Sequence, residues 1–221
     1  MTRDLFTAEI RQLQDEVLVL GSMAEKAIMD ALEALRDGDL TWSRQIITDD
    51  EKINAKRFAI EERCIFVIAS QQPMATDLRA LASVLYIITD LERIADHAEG
   101  IARINLMLGD EPLPRRLGYI PAMADRALAM LRDSLKAYIE QDVAAARRIC
   151  DADDEVDRLQ DSVYDESIKG MIADPSTIQR NTYLLWTAHN LERIADRCTN
   201  ICERVIYLVT GTMEEINVSK Y

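Results

Sequence analysis

An internal repeat of about 100 residues constrains the fold of this 221-residue chain more than any other feature. The segment LERIAD at positions 91–96 returns unchanged at positions 191–196, and MAEKAI at 23–28 corresponds to MADRAL at 123–128. Between these pairs, DEKIN at 50–54 aligns with DDEVD at 153–157. Six identical residues between two matched flanks indicate a duplication, so we expect two copies of one structural unit.

The scarcity of chain-breaking residues predicts that each copy is helical. The chain has only 7 glycines and 5 prolines, and apolar residues such as Leu91, Ile94, Ala95 and Ala98 follow the spacing of one helix face. Asp39 and Asp142 are expected to cap helices. The predicted helical segments cover about 4–37, 39–72 and 76–108 in the first copy, and about 121–139, 142–170 and 176–210 in the second.

These segments predict an all-α protein made of two tandem antiparallel three-helix bundles. Short turns between consecutive helices make neighbours antiparallel. The first bundle is predicted to span residues 1–110 and the second residues 111–221, with a linker rich in glycine and proline from Gly109 to about Pro121.

Charge and hydropathy exclude several classes of function. The net charge is −13 and the isoelectric point is about 4.6, which argues against nucleic acid as a partner because phosphate binding needs a basic stripe. The longest apolar stretch, Cys64–Ala69, is far shorter than the roughly 20 residues of a membrane span. The charged start resembles no secretory signal. Since the four cysteines lack CxxC spacing, we predict a reduced, cytoplasmic protein whose cysteines pack in the core.

The repeat places acidic residues face to face across each hairpin. In an antiparallel hairpin, two residues at equal height have the turn as their midpoint. The midpoint of Asp50 and Asp96, and of Asn54 and Glu92, is Pro73. In the second copy, the corresponding pairs are Asp153 with Asp196 and Asp157 with Glu192, and their midpoint falls at the Asp174–Pro175 junction.

Carboxylates gathered in this way predict a site for a hard cation. Glu92 and Asp96 lie four residues apart, where like charges repel, so the pair needs a compensating cation. Arg93 and Arg193 are candidates, but they are expected to project about 100° further round the helix. Oxygen-only ligands suit Mg²⁺, Mn²⁺, Ca²⁺ or iron. The alternative is a solvated acidic margin paired with lysine and arginine.

No other motif predicts catalysis or nucleotide binding. The chain lacks GxGxxG, Walker A and GxSxG segments. His97 and His189 stand at non-equivalent positions of the repeat, form no Glu-x-x-His pair, and are interpreted as structural or surface residues. We therefore predict no catalytic residues and no enzymatic activity.

The doubled LERIAD and the turn ASQQPMATDLR at 69–79 resemble the PhoU family of phosphate-uptake regulators. The resemblance extends from about Leu5 to Thr210. It implies two three-helix bundles, often a homodimer, with metal clusters at the acidic motifs. The first copy departs from the pattern at Asn54, which replaces a carboxylate, and at Gly100, where the second copy has Asn200.

The resemblance also implies a function and partners. Family members link the phosphate-specific ABC transporter to a membrane histidine kinase and repress the phosphate-starvation response when phosphate is plentiful. The implied partners are the transporter's ATPase subunit and the sensor kinase, so contact with the membrane is indirect. The implied cofactor is a divalent or trivalent metal (iron, manganese, magnesium or zinc) in sites of one or more ions. The metal positions are Asp50, Asn54, Glu92, Asp96, Asp153, Asp157, Glu192 and Asp196. Two other interpretations stay open: a carboxylate-bridged metalloenzyme and a metal-free helical adaptor.

Overall fold

The structure, a computed structural model, describes residues 3–109 and 118–216 and confirms the all-α fold with two three-helix units. Within these ranges the chain forms six α-helices and no strand. The helices of the first copy are α1 Arg3–Asp37, α2 Leu40–Gln71 and α3 Thr76–Leu108. Those of the second are α4 Ile120–Glu140, α5 Val143–Ala173 and α6 Ile178–Thr210, with a 3-10 turn at Pro175–Thr177. The predicted domain boundary at 110/111 and most of the predicted linker lie outside the described residues.

The predicted caps and hairpin turns are present. Asp39 accepts a hydrogen bond from the Trp42 backbone N–H at 2.8 Å, and Asp142 accepts one from Ala145 at 2.9 Å, so each carboxylate satisfies a free N–H group at its helix start. The turn between α2 and α3 contains Pro73, and the turn between α5 and α6 begins at Asp174 and Pro175. Each hairpin therefore reverses at the position that the acidic pairs predicted.

The two copies share one hydrophobic core. Leu91, Ile94, Ala98 and Ile101 of α3 are buried as their spacing predicted, and they belong to the same buried cluster as Leu191 and its neighbours on α6. Burial of each large aliphatic side chain contributes about 1.5–3 kcal/mol. The repeat predicted two bundles, but it did not predict that α3 and α6 pack along each other to join them.

Polar contacts show that α3 and α6 run antiparallel along the surface where they meet, which we call the seam. The Asn200 side chain donates to Asp90 at 3.2 Å, the Arg204 guanidinium stacks over the Tyr86 ring at 4.5 Å, and His97 Nδ1 lies 3.1 Å from Asn190 Oδ1. Asp90 and Asn190 occupy equivalent repeat positions, so the two helices are related by an approximate two-fold axis.

Gly100 lies in this seam, and its neighbour explains the departure from the second copy. A Cβ atom at position 100 would lie 2.9 Å from Asn190 Oδ1, which is too close for a carbon–oxygen contact. A larger residue at position 100 would require the Asn190 side chain to shift, whereas a glycine leaves it in place.

No helix of the described residues is long and apolar enough to cross a membrane.

Candidate metal centres

The acidic residues of the first copy meet between α2 and α3, as the hairpin geometry predicted. The Asn54 side chain donates to Asp50 Oδ2 at 2.7 Å, and Arg57 Nε lies 3.8 Å from Glu92 Oε1. The other oxygen of Asp50, Oδ1, is buried and has no hydrogen-bond partner. This cluster, which we call the first acidic site, comprises Asp50, Asn54, Glu92 and Asp96.

The carboxylates of the first acidic site lie close enough to raise one another's pKa values. Burial, followed by the charges of Asp96, Glu99 and Glu92, raises the pKa of Asp50 to about 6. The pKa of Glu92 is raised by burial and by Asp96, and that of Asp96 is raised by burial and by Glu99. Because a negative charge on one of these carboxylates disfavours ionisation of its neighbours, a cation placed among them would be stabilised.

Glu99 belongs to the same acidic surface, although the sequence analysis did not select it. Its carboxylate accepts a hydrogen bond from Arg103 at 2.6 Å and repels both Asp50 and Asp96. Glu99 follows Glu92 by seven residues and therefore lies on the same helix face. That spacing was visible in the sequence, but the second copy has no acid at the equivalent Thr199, so the repeat did not highlight it.

A cavity of about 170 Å³ opens between α1 and α2 beside the first acidic site. Asp50 and Glu99 line it together with Lys26, Asp30 and Asp49. A small hydrated cation could therefore approach Asp50 from the α1 side of the bundle.

The second acidic site comprises Asp153, Asp157, Glu192 and Asp196, between α5 and α6. Burial is the largest cause that raises the pKa of Glu192 to about 7, and Asp196, Asp157 and Asp153 add repulsion. Asp153 is a buried acid, with 2% of its surface exposed. The acids of α5 and α6 thus lie near enough for their charges to act on Glu192, in agreement with the hairpin geometry.

Arg193 contacts both motif acids of the second site, which corrects the expectation that it projects too far round the helix. Its Nη1 donates to Asp196 Oδ2 at 2.9 Å, and its Nε lies 3.3 Å from Glu192 Oε2. The long side chain folds back along the helix, so the direction of its Cα–Cβ bond does not limit where the guanidinium binds. Arg93, its counterpart, forms no such pair with any described residue.

The donor set of both sites fits a hard cation, but the side chains as placed do not form a closed coordination shell. Carboxylate and amide oxygens are the only donors, as Mg²⁺, Mn²⁺ and iron accept. Within the described residues, no group of three or more histidine, cysteine, aspartate and glutamate side chains converges closely enough to hold an ion. A bound ion would require carboxylates to rotate, and at the second site it would require Arg193 to leave them.

The remaining ligand-type residues have structural positions. Cys64, Cys150, Cys198 and Cys202 are free and buried, and burial raises the pKa of Cys64 to about 12, which favours the neutral thiol. His97 contacts Asn190 in the seam. His189 is more than half exposed, and its Nδ1 lies 3.6 Å from Glu192 Oε2.

Taken together, the fold and the sites define a class: a tandem-repeat helical protein with two related acidic clusters beside a shared pair of helices. Comparison with known proteins places the chain more narrowly, since the PhoU domain matches residues 17–104 and again residues 120–205. The chain belongs to the PhoU family.

Relatives of the chain match it over nearly its full length. It is 39% identical over 218 residues to the phosphate-specific transport system accessory protein PhoU homolog of Clostridium acetobutylicum, covering 98% of this chain and 100% of the relative. It is 33% identical over 206 residues to the phosphate-specific transport system accessory protein PhoU of Escherichia coli K12, covering 93% and 86%.

Two solved structures share the fold. The crystal structure of PhoU from Pseudomonas aeruginosa matches with a TM-score of 0.87 and 35% identity, covering 94% of this chain and 100% of that chain. The phosphate transport system regulatory protein PhoU from Streptococcus pneumoniae matches with a TM-score of 0.88 and 33% identity, covering 95% and 99%.

Proposed function

We propose that this protein is an accessory and regulatory protein of a phosphate-specific transport system. The observation that carries the proposal is the double PhoU match together with relatives of that name that align over more than nine-tenths of the chain. In this role it modulates phosphate uptake and represses the phosphate-starvation response when phosphate is plentiful.

The partners in this proposal are the ATPase subunit of the phosphate ABC transporter and the cytoplasmic part of a sensor histidine kinase. The described residues contain no constellation of nucleophile, base and oxyanion donors, so we propose a binding function without enzymatic activity. A helical body of this kind changes a partner's signalling state by binding one state more tightly than another. We further propose that it acts in the cytoplasm as a homodimer and reaches the membrane through its partners.

Metal binding at the two acidic sites is part of the proposal. Asp50, Asn54, Glu92 and Asp96 would hold one centre. Asp153, Asp157, Glu192 and Asp196 would hold the other. The buried and unpaired Asp50 Oδ1 and the raised pKa values of Asp50 and Glu192 support this assignment. When bound, a divalent or trivalent ion would supply positive charge that fixes each α2–α3 or α5–α6 hairpin.

A gene deletion in the source organism tests the regulatory role. We expect alkaline phosphatase, or another product of the phosphate-starvation response, to be made in high phosphate once the gene is deleted, and to be repressed again by a plasmid copy. Unchanged repression in the deletion strain, with any paralogue also deleted, would contradict the proposal.

A variant with four substitutions tests the metal centres separately. Glu92→Ala, Asp96→Ala, Glu192→Ala and Asp196→Ala together should abolish metal retention measured by elemental analysis of the purified protein. Circular dichroism of the same samples shows whether the helices remain. Equal metal content in the wild type and the folded variant would contradict metal binding at these sites and leave a metal-free adaptor.

A further inference from the structure

We propose that Arg193 is an internal counter-ion that competes with a metal ion for Glu192 and Asp196, so that the second acidic site exchanges its own arginine for metal. The inference rests on the proposed metal centre, and it concerns a residue that is not among the ligands. It makes Arg193 a determinant of metal affinity at one of the two sites.

The contacts of Arg193 place its charge where a cation would bind. Its guanidinium pairs with Asp196 Oδ2 at 2.9 Å and approaches Glu192 Oε2 at 3.3 Å. These are the acidic groups that the two copies of the LERIAD motif have in common, and a metal that used the same oxygens could not bind while the guanidinium covers them. The arginine and the metal are therefore alternative partners of one carboxylate pair.

The exposed fractions of the side chains indicate that Arg193 can move more easily than the carboxylates it contacts. The Arg193 side chain is 44% exposed, whereas the Glu192 side chain is 15% exposed. The guanidinium can therefore rotate into solvent on its flexible stem while the carboxylates stay in the cleft. In the exchange two ion pairs break, carboxylate–metal bonds form, and the guanidinium keeps its proton, so that no electron or proton has to be transferred.

The first acidic site lacks this arrangement. Arg93, at the equivalent position, forms no ion pair with any residue the structure describes. A different arginine, Arg57 of α2, approaches Glu92 at 3.8 Å, but it is bonded to Glu61 and its guanidinium stacks over the Phe58 ring at 4.2 Å. Gln160 takes the place of Arg57 in the second copy. The two sites therefore obtain compensating charge from different helices.

This difference supplies a matched control. Arg193→Gln and Arg93→Gln remove the same charge from equivalent positions of one motif, and both side chains are at least partly exposed. Since only Arg193 contacts the carboxylates, only Arg193→Gln should free a binding site. A general loss of positive charge would instead strengthen metal binding equally in both variants.

The experiment measures Mn²⁺ binding by isothermal titration calorimetry on the full chain after removal of metal with a chelator. Each substitution is made in the background Glu92→Ala/Asp96→Ala, so that the second site dominates the isotherm. An exposed ion pair contributes up to about 1 kcal/mol, which corresponds to an expected roughly two- to fivefold tighter binding for Arg193→Gln. Arg93→Gln should change the affinity less than about twofold.

Other outcomes would overturn the inference. Unchanged or weaker binding by folded Arg193→Gln would show that Arg193 does not compete, or that it orients the carboxylates for the metal. Equal tightening by Arg93→Gln would show a general charge effect. If the wild type binds Mn²⁺ but Arg193→Gln gives no change, only the inference fails. If neither protein binds Mn²⁺, the proposed metal centre and the inference fail together.

A third variant separates competition from charge alone. Arg193→Lys keeps the positive charge but lacks the planar fork that contacts two carboxylates at once. We expect it to bind Mn²⁺ more tightly than the wild type and less tightly than Arg193→Gln. Binding by Arg193→Lys that is weaker than that of the wild type would contradict the exchange.

Discussion

Asn200 of α6 donates a hydrogen bond to Asp90 of α3 at 3.2 Å, and this bond joins the two copies of the repeat. The equivalent positions, Gly100 and Asn190, are also neighbours across the seam, but there a backbone approaches an amide side chain. One symmetric arrangement of helices is thus maintained by two different contacts.

Removing the donor at position 200 should destabilise the whole chain. Asp90 has a side chain only 13% exposed, and burial raises its pKa. Without Asn200, another polar group near Asp90 is Arg197, whose Nη1 lies 3.7 Å from Asp90 Oδ1. We expect Asn200→Ala to lower the free energy of unfolding by about 1–3 kcal/mol, measured by urea denaturation. Gln179→Ala, at an exposed position of α6, is the control and should have a much smaller effect.

The close approach of Gly100 to Asn190 predicts non-additive effects of substitution. Alanine is favoured over glycine inside a helix by about 0.5–1 kcal/mol, but the added methyl group would displace Asn190 from its contact with His97. We therefore expect Gly100→Ala to stabilise the protein more in an Asn190→Ala background than alone. A double-mutant cycle on thermal unfolding measures this coupling, and additive effects would contradict it.

Glu192 should reduce stability near neutral pH when metal is absent. Its folded-state pKa of about 7 exceeds the ordinary value of 4.5, so the native state binds more protons than the unfolded state between these values. Stability therefore falls as pH rises through this window. At pH 7.5 with a chelator, we expect Glu192→Gln to raise the free energy of unfolding by roughly 1–2 kcal/mol.

The same variant should remove much of the pH dependence of unfolding between about pH 4.5 and 7. Thermal melts at several pH values measure this, with the exposed Glu62→Gln on α2 as the control. A decrease in stability for Glu192→Gln at pH 7.5 would show that the ionised carboxylate makes a net stabilising contact, which the burial and repulsion at this site do not predict.

Restoring the missing acid in the first copy should make its site resemble the second. Asn54 donates to Asp50 at 2.7 Å, and Asn54→Asp would replace that bond with a repulsive pair. We expect lower thermal stability with chelator and roughly tenfold tighter Mn²⁺ binding at the first site, since added ligand charge increases cation affinity. The assay uses a Glu192→Ala/Asp196→Ala background. Unchanged affinity would place Asn54 outside the metal's coordination shell.

Local patterns predicted most of the fold, because helix starts, ends and buried faces depend on nearby residues. Asp39 and Asp142 cap as expected, and the hairpins reverse at Pro73 and at Asp174–Pro175. The heights of the acidic pairs followed from this reversal alone. Rotation of each helix about its axis did not, so the convergence of the acids required the structure.

The direction of long side chains and the packing between the two copies could not be predicted from the sequence. The return of Arg193 onto Glu192 and Asp196 depends on a flexible side chain whose path the helix angle does not fix. The seam depends on which helices of two similar bundles meet, and the repeat treats both bundles alike. No sequence pattern therefore indicated that Asp90 and Asn200 meet in the seam. Glu99, in contrast, could have been predicted as part of the acidic surface, because it lies on the same helix face as Glu92.

The unequal contacts of the seam also determine which halves fit together. If two first copies paired through α3, Asp90 would face Gly100 and lose its amide donor. If two second copies paired through α6, Asn190 would face Asn200, and the Asn190 side chain would have to move away from a Cβ only 2.9 Å from its Oδ1. Each copy therefore fits the other better than it fits a duplicate of itself. In this respect the chain is equivalent to a heterodimer whose subunits are covalently joined.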